Sequence, residues 1–157
     1  MKEIKLTQGK VAIIDDEDFE RLNQFKWCVK FDWRNWYARR MIRVNGKQTT
    51  LYMHRAIVNA PKCVQVDHRN GNGLDNCKEN LRLCTHQQNQ SNQRNAHKDN
   101  KFGIKGVNCH KKNKKFLAQI QINGKKINLG YFNIMGDADS AYRIAEEKYF
   151  GEFSRKY

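Results

Sequence analysis

The chain has 157 residues, of which 30 are lysine or arginine and 16 are acidic, giving a formal net charge of +14. This length predicts one domain or two small modules, and 8 Phe, 6 Tyr and 3 Trp argue against a disordered chain. No run approaches the ~18 apolar residues of a membrane span and no signal-peptide core follows Met1, so we expect a cytoplasmic protein with no membrane partner. The basic surplus predicts a polyanionic partner, of which nucleic acid is the commonest.

The charge is distributed unevenly along the chain. Residues 1–60 hold 12 basic and 7 acidic residues, residues 61–97 hold 5 and 3, and residues 98–157 hold 13 and 6. The surpluses are therefore +5, +2 and +7, which predicts that the last segment is the main anchor on a polyanion. Residues 98–101 are polar and unpatterned, so we expect a linker there, followed by a C-terminal domain over 102–157.

The first segment, 1–60, is predicted to be mostly β-structure. Asn45-Gly46 between two β-rich runs is a strong hairpin signal. Arg39, Arg40 and Arg43 lie on this hairpin, and they are equally consistent with a solvated sheet face and with a phosphate-binding face. His54-Arg55 either contacts phosphate or ends a strand. The predicted elements are strands at Lys10–Ile14, Trp27–Phe31, Trp36–Val44 and Lys47–His54, and an acidic helix within Asp15–Phe25.

The middle segment, 61–97, contains the side chains that could bind a metal or transfer a proton. A short strand ending in Asp67-His68 leads into a glycine- and asparagine-rich loop, and Leu81–Cys84 is predicted to be a second strand. Thr85 followed by Gln88 is a capping-box pattern, so a helix is predicted to begin there. This is strand, loop, strand and helix in about thirty residues, which is too small for much core of its own.

Two oxygen ligands and a base are available in this unit. Asp67 and Asn89 offer hard oxygens that suit Mg²⁺, and His68 titrates near neutral pH and can act as a general base. Alternatives are an ordinary turn built from glycine and asparagine, and a zinc set of His68, Cys77, Cys84 and His86. That zinc set has no familiar spacing and would occupy the base, so no zinc is expected. The five cysteines are odd in number and contain no C-x-x-C pair, which favours free thiols.

The last segment alternates between apolar and amide side chains. Phe116, Ala118, Ile120 and Ile122 lie on one predicted face, and Asn123-Gly124 predicts a second hairpin. A helix is predicted to begin at Asp137. Three strands and one covering helix give a small α+β domain, and the whole chain is predicted to belong to the α+β class.

The middle segment resembles the HNH nucleases. The matching string is Val66-Asp67-His68-Arg69-Asn70-Gly71-Asn72-Gly73-Leu74-Asp75-Asn76 with Glu79-Asn80-Leu81-Arg82 behind it, and the spacing to Asn89 is closest to the His-Asn-Asn subgroup of phage and intron-encoded homing endonucleases. The resemblance implies a ββα-metal motif in which His68 activates water, Asp67 and Asn89 ligate one divalent metal, and Asn80 pins the loop. The metal implied is Mg²⁺, with Mn²⁺ as the alternative. The implied products are a nicked strand with 5′-phosphate and 3′-hydroxyl ends, made in the cytoplasm of a bacterium or a phage-infected host.

The segment from about 102 to 153 resembles the ethylene-response-factor DNA-binding domain of plants. Lys105-Gly106-Val107, Ala118-Gln119-Ile120, Leu129-Gly130-Tyr131-Phe132 and Ala141-Tyr142 carry the resemblance. It implies that double-stranded DNA is the partner and that the family's DNA-contacting positions correspond to Lys105, Asn108, His110, Gln119, Gln121, Lys126, Asn128, Tyr131 and Tyr142. The surrounding lysines, among them Lys105 again, are expected to meet phosphate or solvent, namely Lys105, Lys111, Lys112, Lys114, Lys115 and Lys125.

These patterns together predict a metal-dependent DNA endonuclease that is targeted by its C-terminal domain and acts as a monomer or a homodimer. One alternative is a catalytically inactive DNA-binding regulator that keeps the ββα unit as structure. Another is RNA binding through the basic sheet, for which the sequence shows no aromatic stacking motif. The presence of Asp67, His68, Asn80 and Asn89 together favours the nuclease.

Overall fold

A computed structural model describes residues 1–32, 35–92, 100, 102–110 and 114–154. The chain forms two compact units, Met1–His86 and Gln87–Tyr157. Both contain helices and small antiparallel sheets, which confirms the α+β prediction. Within the described ranges, no helix is long and apolar enough to cross a membrane. Most of the predicted linker 98–101, together with Lys111 and Lys112, lies outside the described residues.

The first unit consists of three antiparallel sheets and two helices. β1 pairs with β2, β3–β4–β5 form a three-stranded sheet, and β6 pairs with β7. The elements are β1 Lys2–Lys5, β2 Val11–Ile14, α1 Asp16–Asn23, β3 Cys28–Asp32, β4 Asn35–Val44, β5 Lys47–Tyr52, α2 Met53–Ile57, β6 Gln65–His68 and β7 Leu81–Cys84.

The predicted hairpin between β4 and β5 is confirmed. Asn45 and Gly46 have φ angles of 50° and 75°, the left-handed conformation that a two-residue hairpin turn of type I′ requires. The prediction that the second strand continues to His54 is wrong, because β5 ends at Tyr52 and α2 begins at Met53. Met53 and Ile57 are both buried, and residues four apart in a helix lie on the same side of it.

One hydrophobic core serves the whole first unit. It is built mainly from the N-terminal segment, and the β6–β7 hairpin contributes Val66, Leu81 and the half-buried Leu74 of its loop. A thirty-residue motif buries too little apolar surface to support itself, so the hairpin depends on the elements before it. The division of the chain into separate parts at 60 and 97 stays a prediction.

The second unit is a three-stranded antiparallel sheet covered by one helix. The strand order is β10–β9–β8, and α4 packs on the face that carries Ala118 and Ile120, both buried. The predicted alternation of apolar and amide side chains is confirmed, and α4 begins at Met135, two residues before the predicted start. The elements are α3 His86–Asn92, which crosses the division of the chain, β8 Val107–His110, β9 Lys115–Ile122, β10 Lys125–Phe132 and α4 Met135–Phe150.

Candidate active site and nucleic-acid interface

The β6–β7 hairpin places Asp67 and His68 side by side in sequence and on opposite faces of its strand. Asp67 lies opposite Arg82 in the register, and His68 lies opposite Leu81. Both side chains are buried, at 6% and 5% exposure. A buried carboxylate next to a buried imidazole is costly unless both are hydrogen-bonded, so their partners define the chemistry of the site.

Asp67 is held by Arg82 from the neighbouring strand. Its Oδ2 accepts hydrogen bonds from Arg82 Nε at 2.9 Å and from Arg82 Nη2 at 2.7 Å. Both partners are almost fully buried, at 7% and 6% side-chain exposure. The guanidinium therefore compensates the buried anion and fixes the position of the carboxylate on the strand.

His68 is oriented by a residue that its motif spacing did not single out. Its Nε2 lies 3.3 Å from Oδ1 of Asn76, which is itself only 1% exposed. An amide oxygen can only accept, so Nε2 carries the hydrogen and Nδ1 carries the lone pair. Asn76 is fixed in turn, because its Nδ2 donates to Leu74 O at 3.2 Å and its backbone N donates to Ile13 O at 2.8 Å.

Two rings from the N-terminal segment pack against His68, and a third ring stacks on one of them. The ring centroid of His54 lies 5.1 Å from that of His68 in an edge-to-face arrangement, and that of Tyr37 lies 5.9 Å away. Tyr52 stacks on His54 at 5.4 Å. His54 is 9% exposed, and its Nδ1 is buried without a hydrogen-bond partner among the described residues. The prediction left His54 as a phosphate contact or a strand end, whereas it forms part of the wall beside the base.

Burial sets the protonation states in this ring cluster. It lowers the pKa of His54 from 6.5 to about 3, with the neighbouring His68 lowering it further. Burial also lowers the pKa of His68, and the Asn76 hydrogen bond and the Asp67 charge oppose that shift. The pKa of Tyr37 is raised, again chiefly by burial. Both imidazoles are therefore neutral at neutral pH, which is the form that a general base requires.

Asn80 ties together the two ends of the loop after His68. Its Nδ2 donates to Asp75 O at 2.7 Å, its Oδ1 accepts from Asn70 N at 3.0 Å, and its backbone O accepts from Arg69 N at 2.9 Å. The contacts of Asn80 are thus with the loop backbone, as expected of a residue that positions the loop.

The N-terminal segment also fixes this loop. Ile13 N donates to Leu74 O at 2.9 Å, and Asn35 Nδ2 donates to Gly71 O at 2.7 Å. Gly73 lies so close to β4 that a Cβ there would meet Trp36 O at 2.4 Å, which explains the glycine. The loop that precedes Asn76 is therefore held on two sides by residues far from it in sequence.

Asn89 lies on α3 and is partly buried. It belongs to the second unit, whereas Asp67 belongs to the first. Within the described ranges, no three His, Cys, Asp or Glu side chains form a metal-binding group. A carboxylate and an amide oxygen are each hard donors of the kind that Mg²⁺ accepts, and Mg²⁺ normally keeps several water ligands.

Seven of the nine predicted DNA-contacting residues share one face of the second unit's sheet. The register pairs Lys126 with Gln121 and Asn128 with Gln119, and directly opposed residues point to the same side. Asn108 of β8 and Tyr131 of β10 both lie opposite Leu117 and therefore point to the same side. The seven residues are Asn108, His110, Gln119, Gln121, Lys126, Asn128 and Tyr131, and we call this surface the amide face.

Lys105 and Tyr142 are not on the amide face. Lys105 Nζ lies 2.7 Å from Oε1 of Glu146, a carboxylate whose residue is only 1% exposed. Tyr142 is buried, and its hydroxyl lies 3.4 Å from the same oxygen. Gly106 has a φ of 73°, and a Cβ there would lie 2.0 Å from the Tyr142 ring. Both side chains therefore stabilise the interior of the unit, and their contact with DNA stays a prediction.

Comparison with known proteins adds independent evidence. Residues 59–91 match the family model described as HNH endonuclease. The chain is similar to Protein 3.8 of Escherichia phage T7, with 30% identity over 95 residues that cover 60% of this chain and 77% of that protein. It is also similar to an uncharacterized HNH endonuclease of Acanthamoeba polyphaga mimivirus, with 26% identity over 148 residues that cover 94% of this chain and 74% of that protein. No solved structure matches.

Proposed function

The chain belongs to the same family as Protein 3.8 of phage T7 and carries an HNH endonuclease domain, and on this premise we propose that it is a metal-dependent endonuclease that nicks DNA. The single observation that best supports this is the buried hydrogen bond between His68 Nε2 and Asn76 Oδ1. It leaves the His68 Nδ1 lone pair as the basic atom of a neutral imidazole.

In the proposed reaction, His68 accepts a proton from the attacking water. Asn76 keeps the ring in one tautomer and accepts the hydrogen bond that strengthens as the ring becomes positively charged. Asn80 positions the loop, and Arg82 fixes the carboxylate of Asp67. The proposed products are 5′-phosphate and 3′-hydroxyl ends.

Asp67 and Asn89 are the proposed ligands of one divalent cation, Mg²⁺ or Mn²⁺. Such an ion, when bound, stabilises the charge that develops on the phosphate and on the leaving oxygen. The protein's own share of the chemistry is to supply one anionic and one neutral oxygen, so that the remaining positions are left to water and phosphate oxygens.

Target binding is proposed to lie with the amide face of the second unit. Asn and Gln side chains can pair bidentately with adenine N6 and N7 in a major groove, which suits the exposed Gln121 and Asn128. Lys126 on the same face is proposed to meet phosphate, together with Lys114 and Lys115 at the beginning of β9 and Lys125 at the beginning of β10.

Incubation of supercoiled plasmid with the full chain, with Mg²⁺ and with EDTA, tests this proposal. We expect conversion to the open circle only with the metal, and nicks whose 5′ ends accept label from polynucleotide kinase only after phosphatase treatment. Tight DNA binding without any nicking in Mg²⁺ or Mn²⁺ would instead indicate an inactive DNA-binding regulator.

A further inference from the structure

The sheet β3–β4–β5 has one face that the hydrophobic core does not use. Val29 and Ala38 are buried on the other face, next to the core. On the unused face, residues of neighbouring strands lie directly opposite one another in the register. We call this surface the open face, and its residues are Cys28, Lys30 and Asp32 of β3, Asn35, Tyr37, Arg39, Met41 and Arg43 of β4, and Gln48, Thr50 and Tyr52 of β5.

The open face carries cations that have no ion-pair partner among the described residues. Within the described part of the chain, Lys30, Arg39 and Arg43 make no ion pair. Arg40, on the other face, is in contrast engaged with the Phe25 ring at 3.5 Å. The one acidic side chain on the open face is Asp32, at the end of β3. Three cations therefore remain available to an anionic ligand on this surface.

The open face adjoins the candidate active site. Tyr37 lies on it and contacts His68, and Tyr52 lies on it and stacks on His54. Arg43 is six residues along the same strand from Tyr37, which corresponds to about 20 Å at ~3.3 Å per residue. That length matches about six base pairs at ~3.4 Å each.

We propose that the open face binds the phosphate backbone of duplex DNA beside the nicked bond, with Tyr37 nearest to the reaction and Arg43 farthest from it. The inference rests on the proposed nuclease function and gives residues 1–60 a part in substrate binding. The ligand is a continuous duplex backbone, because the cations are spaced along a strand and are accompanied by the polar Gln48. Contacts of this kind position the substrate without reading its sequence.

Binding of the full chain to a duplex in EDTA, measured over a range of salt concentrations, tests the proposal. Each lost phosphate contact should lower the slope of log affinity against log salt by about 0.9, so Arg39→Gln with Arg43→Gln should lower it by about 1.8. Lys47→Gln is the matched control, because it removes one cation from the other face of the same sheet. If the double variant kept the wild-type slope and affinity, the proposal would be overturned.

A second measurement uses a thiol that the chain already has. Cys28 is exposed and lies opposite Arg39 on the open face. We expect saturating duplex to slow the alkylation of Cys28 by a maleimide at least severalfold, read by peptide mass spectrometry. Alkylation at the same rate with and without bound duplex would contradict the proposal.

The two measurements separate this inference from the proposed function. If the wild-type chain nicks plasmid while the double variant binds and nicks like it at every salt concentration, only the role of the open face fails. If the wild-type chain neither binds nor nicks duplex DNA, the nuclease function fails and the open face with it.

Discussion

Replacing Asn76 with alanine removes the acceptor that orients His68. The hydrogen bond is buried, and it spans 3.3 Å in the resting site, where catalytic hydrogen bonds are often long. Before the reaction this hydrogen bond joins a neutral imidazole to an amide. Once His68 has accepted a proton, it joins a cationic imidazolium to the same amide. Only the gain between these two states affects the rate of the chemical step.

The size of the effect follows from that gain. Hydrogen bonds to charged groups contribute about 1.5–3 kcal/mol and neutral ones about 0.5–1.5 kcal/mol. The difference of about 1–1.5 kcal/mol corresponds to a loss of about 5- to 13-fold in the nicking rate, at ~1.36 kcal/mol for each factor of ten. This is smaller than the loss of about 10²- to 10⁴-fold expected when the base itself is removed.

The assay is nicking of plasmid under single-turnover conditions, with enzyme and Mg²⁺ saturating. Asn72→Ala is the matched control, because Asn72 is an exposed asparagine of the same loop whose Oδ1 accepts only from Leu74 N at 3.1 Å. We expect Asn76→Ala to lose rate with an unchanged DNA affinity, and Asn72→Ala to lose much less. Equal nicking rates for the two variants would refute the proposal that Asn76 orients His68.

Four further outcomes are expected. Between pH 7 and pH 5 His54 should lower the free energy of unfolding of the wild-type chain by about 2 kcal/mol, because unfolded His54 binds a proton below pH 6.5 that the folded chain excludes down to about pH 3. His54→Phe should abolish this part of the pH dependence. Asn80→Asp should cripple nicking with little change in circular dichroism, because it loses the amide donor to the loop backbone. Lys105→Met should destabilise the second unit by about 3–5 kcal/mol in urea, because Glu146 stays buried and unpaired. Gln121→Ala should cost about 1–3 kcal/mol of binding at one base pair.

Each of these outcomes has a contradicting result. An unchanged pH dependence in His54→Phe would mean that His54 is protonated in the folded chain. Normal nicking by Asn80→Asp would make Asn80 an ordinary turn residue. A double variant of Lys105→Met with Glu146→Gln should regain part of the lost stability, and no regain would argue against the ion pair. A uniform loss of affinity across all sequences in Gln121→Ala would assign Gln121 to phosphate.

The sequence could predict those features that depend on short-range signals. Asn45-Gly46 specifies its hairpin because both residues tolerate positive φ, and the alternation in β9 specifies which side faces α4. The strand with Asp67 and His68 and the strand Leu81–Cys84 were also predicted, since the loop between them is rich in glycine and asparagine. The HNH family match then falls on this segment.

The features that the sequence could not predict depend on contacts between distant residues. His54 meets His68 only because α2 follows β5, and its sequence context looked like the end of a strand. The ion pair of Lys105 with Glu146 joins residues that are 41 apart, so no local pattern indicates it. Asn76 lies within the recognised motif, yet no spacing rule indicates that its amide contacts the base. A buried partner can neutralise or orient a side chain without leaving a local signal.

His68 is proposed to be the base of a DNA-nicking site, and the most direct test of this role compares the wild-type chain with His68→Ala on supercoiled plasmid in Mg²⁺. We predict that the wild-type chain produces open circles, and that His68→Ala loses about 10²- to 10⁴-fold in rate while it binds the same DNA with the same affinity. Nicking by His68→Ala at the wild-type rate would contradict the account.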